Sequence, residues 1–150
     1  MVIAVDFDGT IVEHDYPRIG KPIPFAFDVL RKLQQEQHHT LLLWTIREGR
    51  LLQDAVDYCA NNGVEFYAVN KNYPEEEVGE NPRKLMADVF IDDKNMGGLP
   101  NWATIYRALL SGSIYFEDID DYISEENRPK KKKNMFTRLG EALDTAKRYR

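Results

Sequence analysis

Cysteine is nearly absent: the 150 residues include one, Cys59, so no internal disulfide can form. Cys59 has neither a CxxC spacing nor an adjacent base. Within the helix-like stretch YCANNG it reads as core packing, and the chain as an intracellular, cytoplasmic protein. Long apolar runs are missing too. Nothing approaches the roughly 18 residues of a membrane span, and the first residues lack a basic stretch leading into an apolar one, so no membrane partner is expected. The three histidines, His14, His38 and His39, have no ligand spacing with Cys59 or with one another, which argues against zinc. No internal repeat is visible, and the only low-complexity tract is KKKK at 130–133.

What is present is an ordinary globular composition, 43% hydrophobic and 30% charged, in a length that suits one domain with a full core. The net charge of −5 is unevenly spread. Residues 128–150 carry nine Lys or Arg against Glu141 and Asp144, a local +7 that leaves −12 on residues 1–127. An acidic body argues against a nucleic-acid surface there and leaves the basic tail as the segment able to attract RNA.

Four apolar runs read as buried strands of a mostly parallel sheet: VIAV at 2–5, TLLLWT at 40–45, VEFYAV at 64–69 and ADVFIDD at 87–93. Between them, Ala26, Val29, Leu30 and Leu33 share a helical face that starts near Pro24. Leu52, Ala55, Val56 and Cys59 share another, which stops at Asn62-Gly63. Trp102, Ile105, Tyr106, Leu109 and Leu110 form a third helix ending at Gly112, and SIYFEDI is a weaker candidate for a fifth strand. This alternation predicts an α/β, three-layer, Rossmann-like fold. Residues 1–127 form the expected domain, and 128–150 a basic linker followed by an amphipathic helix with Phe136, Leu139, Leu143 and Ala146 on one face. That helix needs a surface to cover: its own body, a second subunit in a homo-oligomer, or a polyanion. Docking or self-association is the preferred reading, because no aromatic interleaving marks a base-stacking surface.

Ligands of open parallel sheets bind at the carboxyl ends of the strands. Here the first strand ends on Asp6 and Asp8, the second on Thr45 and the fourth on Asp92 and Asp93. Taken singly, DFDG is a turn, Thr45 a cap for the helix near Glu48, and the acidic pair a helix N-cap. Taken jointly, four carboxylates at one sheet edge would repel strongly without a cation. All-oxygen ligands that leave room for water and phosphate favour Mg2+ over Ca2+ or Zn2+.

DFDGT resembles the nucleophile motif DxDGT of the haloacid dehalogenase superfamily. TLLLWT resembles that family's second motif, an apolar strand ending in Ser or Thr, and FIDD its acidic fourth motif; the likeness spans residues 2 to about 110. The resemblance implies that Asp6 attacks phosphorus and becomes an aspartyl-phosphate, with Asp8 as leaving-group acid and then water-activating base. It implies Mg2+ held by Asp6, the carbonyl of Asp8, Asp92 and Asp93. It also implies a phosphoryl cradle of backbone N–H groups after Asp6, at Phe7, Gly9 and Thr10, completed by the Thr45 hydroxyl.

The family's third motif is a Lys or Arg shortly before the acidic pair. Lys84, in NPRKLMAD, has that spacing and is preferred; Lys71, after the third strand, is the alternative. Arg47 either reaches a substrate phosphate or carboxylate bidentately or makes a surface salt bridge, and the sequence leaves both open. Neither interval that carries a cap domain in this family has room for one here. The loop Ile11–Pro24 is then the nearby segment able to cover the site. The expected activity is an Mg2+-dependent phosphatase acting on a small-molecule or end-exposed phosphoester. Competing readings are phosphoryl transfer or dehalogenation on the same scaffold, a receiver domain, and a non-catalytic binding module. Asp8 argues against dehalogenation, and the position of DxDGT at the start of the chain argues against a receiver.

Overall fold

The computed structural model describes residues 1–77, 79 and 84–112. The expected fifth strand at 113–119 and the basic tail lie outside the described residues. Four strands, β1 (Val2–Val5), β2 (Thr40–Leu43), β3 (Ala68–Val69) and β4 (Val89–Ile91), form one parallel sheet in the order β3-β2-β1-β4. Register is the feature that matters for the site. Val5 of β1 lies beside Leu43 of β2 and Ile91 of β4, so these three strands end level and their following residues emerge at one edge.

Alternation then sorts the side chains. Ile3, Val5, Leu41, Leu43 and Ile91 point to one face, where α1 (Ala26–Gln35), α2 (Gly49–Asn61) and α3 (Trp102–Ser111) bury Leu30, Leu33, Ala55, Cys59, Ile105 and Leu109 against them. Ala4, Leu42 and Ala68 point to the other face, which Leu85 covers. The expected Rossmann-like α/β fold is therefore present, with a sheet between two packed layers. Among the described residues its second face is covered by the segment around Leu85 rather than by a helix.

Local chemistry explains the element ends. Asn62 and Gly63 stop α2, with Gly63 at φ +78 and its N–H bonded to the Ala60 carbonyl. Asn101 caps α3 through a 2.9 Å bond from the Thr104 N–H, and Gly112 ends it in the left-handed region. Burial pushes the Cys59 thiol up to about 12, as suits a packing residue. The third strand is shorter than its composition predicts. The Val64 N–H bonds the Cys59 carbonyl at the end of α2, and Glu65 exchanges backbone bonds with the Gln34 side chain, so bonding to β2 begins only with the Tyr67 N–H on the Leu41 carbonyl and the paired residues are Ala68 and Val69. No helix among the described residues is long and apolar enough to cross a membrane.

Candidate active site

The chain turns sharply where β1 ends. The Asp6 N–H still bonds the Ile91 carbonyl of β4, at 3.0 Å, and the Phe7 carbonyl then accepts the N–H groups of Ile11 and Val12 to close a tight turn. Gly9, at φ +89, makes the turn feasible. It also makes room, because a Cβ there would lie 2.6 Å from Asp93 Oδ2. DFDG is thus a turn and a site element at once.

Thr10 fastens this turn to the end of β4. Its fully buried hydroxyl donates to Asp6 Oδ2 at 3.2 Å and accepts the Asp93 N–H at 3.0 Å, while its carbonyl accepts the Trp102 indole N–H of α3 at 3.0 Å. Asp6, Asp92 and Asp93 are consequently brought together, each with a carboxylate oxygen within 4.8 Å of the others. Burial, followed by the charges of Asp92 and Asp93, pushes the Asp6 carboxyl up to about 7; the Phe7 N–H and Thr10 hydroxyl pull the other way. Asp93 Oδ1 is buried without a hydrogen-bond partner. The cluster opens into a cavity of about 650 Å³ whose lining includes Asp8, Thr45 and Lys94.

Thr45 is held by a residue that sequence reasoning passed over. Asn70, in the left-handed region at φ 53 beyond β3, accepts the Thr45 N–H at 2.9 Å and donates to its carbonyl at 3.0 Å. The Thr45 oxygen accepts the Arg47 N–H at 3.3 Å, which leaves its own proton available to the cavity. The helix-cap readings do not hold: α2 has no side-chain cap at Glu48, and α3 is capped by Asn101, well past the acidic pair.

Several expected placements differ. Three carboxylates converge rather than four, since both oxygens of Asp8 are held at 2.7 Å by Arg47. Arg47 is fully buried, so it is neither surface salt-bridge material nor a free ligand for substrate. The N–H groups of Gly9 and Thr10 are bonded within the turn, to the Val12 and Phe7 carbonyls, and the Phe7 ring is buried in the core. Gly9 and Thr10 therefore shape the turn instead of presenting donors, because so short a reversal satisfies its own backbone first, whereas the Phe7 N–H faces the Asp6 carboxylate.

The basic residue differs too. Lys84 and Lys71 do not line the cavity, and the Lys84 ammonium sits 4.9 Å above the Phe90 ring, where cation–π attraction holds it. Lys94, immediately after the acidic pair, lines the cavity and pairs with Asp93 Oδ2. That bond, with the charges of Asp6 and Asp92, holds its ammonium above the ordinary lysine value. The signal for it was adjacency to FIDD. Lys94→Ala is expected to lower kcat/KM more than Lys84→Ala or Lys71→Ala; the reverse order in steady-state kinetics would restore Lys84 to the site.

The raised Asp6 value has a consequence for stability. Between about 3.8 and about 7 the unfolded chain ionises this carboxyl while the folded chain keeps its proton, so its contribution to folding is lost as pH rises through that window. In EDTA, the melting temperature of Asp6→Asn minus that of wild type should grow from pH 4 to pH 7, and Mg2+ should shrink the difference. A pH-independent difference would contradict this.

No protein-family profile matches the sequence, and neither does any curated protein. A solved structure of a conserved protein coded by a locus of Bacteroides thetaiotaomicron is 57% identical and superimposes with a TM-score of 0.72, the match covering 79% of this chain and 96% of that one. The chain belongs to the same family as that conserved Bacteroides protein.

Proposed function

We propose that the protein is an Mg2+-dependent phosphomonoester hydrolase of the haloacid dehalogenase type. The observation that carries this reading is the meeting of Asp6, Asp92 and Asp93 at the level ends of two adjacent parallel strands, with Asp93 Oδ1 buried and unpartnered. Three carboxylates so placed, with an orphan oxygen among them, fit a hard divalent cation. Asp6, Asp92 and Asp93 would hold the ion, which when bound supplies charge neutralisation for the approach of one anion to another.

The chain's own residues divide the remaining work. A carboxylate oxygen of Asp6 bonds to phosphorus as the ester P–O bond breaks. Asp8 passes a proton to the departing alkoxide, and the alcohol leaves. Water then attacks the phosphorus of the aspartyl-phosphate, Asp8 takes the water's proton, and inorganic phosphate and the Asp6 carboxylate are restored. Arg47 occupies one lone pair on each Asp8 oxygen and leaves others for the proton. The Thr45 hydroxyl donates to a phosphoryl oxygen and Lys94 adds positive charge at the rim.

The test is phosphate release by the full chain with Mg2+ across sugar phosphates, nucleotides, aryl phosphates, phosphoamino acids and polynucleotide ends. Turnover of at least one class that EDTA abolishes is expected. No release from any class would overturn the reading.

A further inference from the structure

Arg47 is not needed to contact substrate in these steps, yet its side chain is bound from every side. It is fully buried, and four of its five N–H groups are engaged. Nε and Nη2 donate to the two oxygens of Asp8 at 2.7 Å each, Nη2 also donates to the Arg18 carbonyl at 2.7 Å, and Nη1 to the Pro17 carbonyl at 3.0 Å. The rings of Phe7 and Tyr16 lie 5.1 and 5.3 Å from its guanidinium carbon.

These partners come from different parts of the chain. Asp8 follows β1, Arg47 follows β2, and Tyr16, Pro17 and Arg18 belong to the loop whose His14 lines the cavity. Asp8 is only 6% exposed, so water competes little for its oxygens. A side chain this enclosed cannot also grip a substrate anion.

We propose that Arg47 is a positioning residue, which fixes the Asp8 carboxylate toward the leaving-group oxygen and ties the covering loop to that same carboxylate. This tie is what keeps loop and acid–base group in one arrangement. The inference rests on the hydrolase reading above and on the acid–base role of Asp8 within it. It requires a guanidinium rather than a positive charge, because a planar fork spans two carboxylate oxygens and two carbonyls where an ammonium presents a single point.

The experiment compares wild type, Arg47→Lys, Asp8→Asn and the double variant, as full chains with Mg2+, on an alkyl phosphate and on p-nitrophenyl phosphate. The phosphorylation half-reaction is followed in single turnover. Arg47→Lys is expected to slow the alkyl ester by about 10²-fold, within the range general acid–base catalysis contributes. It should slow the aryl ester, whose leaving group needs little protonation, far less, and leave KM nearly unchanged. The double variant should be no slower than Asp8→Asn alone. A raised KM with unchanged kcat, equal losses on both esters, or additive losses in the double variant would overturn the positioning role while leaving the hydrolase reading intact. Wild type inactive on every ester would overturn both. Should Arg47→Lys not fold, Tyr16→Ala removes one ring from the same guanidinium at a half-exposed position. It is expected to show the same leaving-group dependence in weaker form, and wild-type rates on both esters would overturn the proposal.

Discussion

Asp6→Asn should abolish phosphate release, by at least ~10⁴-fold on the scale of nucleophile deletions, while the fold is kept. The amide nearly matches the carboxylate in shape and can still accept the Thr10 hydroxyl, which stands 3.2 Å from Asp6 Oδ2. What it lacks is an anionic oxygen to bond phosphorus. The position also explains why the fold survives. Asp6 is an unfavourably placed carboxylate, held up to about 7 chiefly by burial, so an amide relieves a cost instead of creating one. Phosphate release and a thermal melt on the same preparation check both halves. A variant that unfolds, or one that turns over at the wild-type rate, would remove Asp6 from the centre of the mechanism.

Gly9→Ala is expected to be the second most damaging single change, through geometry rather than charge. The added Cβ would stand 2.6 Å from Asp93 Oδ2 and 2.8 Å from its Cγ, on a backbone at φ +89 that residues with a Cβ rarely adopt. Strain of this kind costs about 1–3 kcal/mol. The contact is with side-chain atoms, so it pushes the Asp93 carboxylate away from the cluster, and displacements near 1 Å in a catalytic site can lower rates ~10²-fold. Gly98→Ala is the control. Its φ is +79, but a Cβ there meets nothing within 4 Å, so it carries the backbone cost without the displacement. Denaturation curves should place both variants below wild type, and phosphate release should fall sharply only for Gly9→Ala. Equal activities in the two variants would show that Asp93 does not depend on the space Gly9 leaves.

The parts of this protein readable from the chain are those governed by local pattern. The apolar runs ending in polar residues announce β1, β2 and β4, and the i, i+3, i+4 spacing of Ala26, Val29, Leu30 and Leu33 announces α1. Gly63 and Gly112 announce the ends of α2 and α3, since each side chain there would have to sit at positive φ. VEFYAV misleads for a physical reason. Its β-branched and aromatic residues suit a strand, but the backbone of Val64 and Glu65 finds partners in Cys59 and Gln34 first.

The site divides along the same line. By itself the sequence determined a Rossmann-like α/β sheet, the edge at which its strands end, and the acidic and hydroxyl groups gathered there. Strand periodicity is local and the carboxyl end of a parallel sheet is a fixed place. Only the tertiary structure decided which charge faces which. Arg47 takes Asp8 across 39 residues, Thr10 reaches Asp93 across 83 while holding Asp6, Asn70 steadies Thr45, and Lys94 rather than Lys84 stands at the cavity. Four aspartates and several cations within one small volume can be paired in many ways, and the choice rests on separations of an ångström or two and on who is buried beside whom. Those distances are set when β1, β2 and β4 come into register.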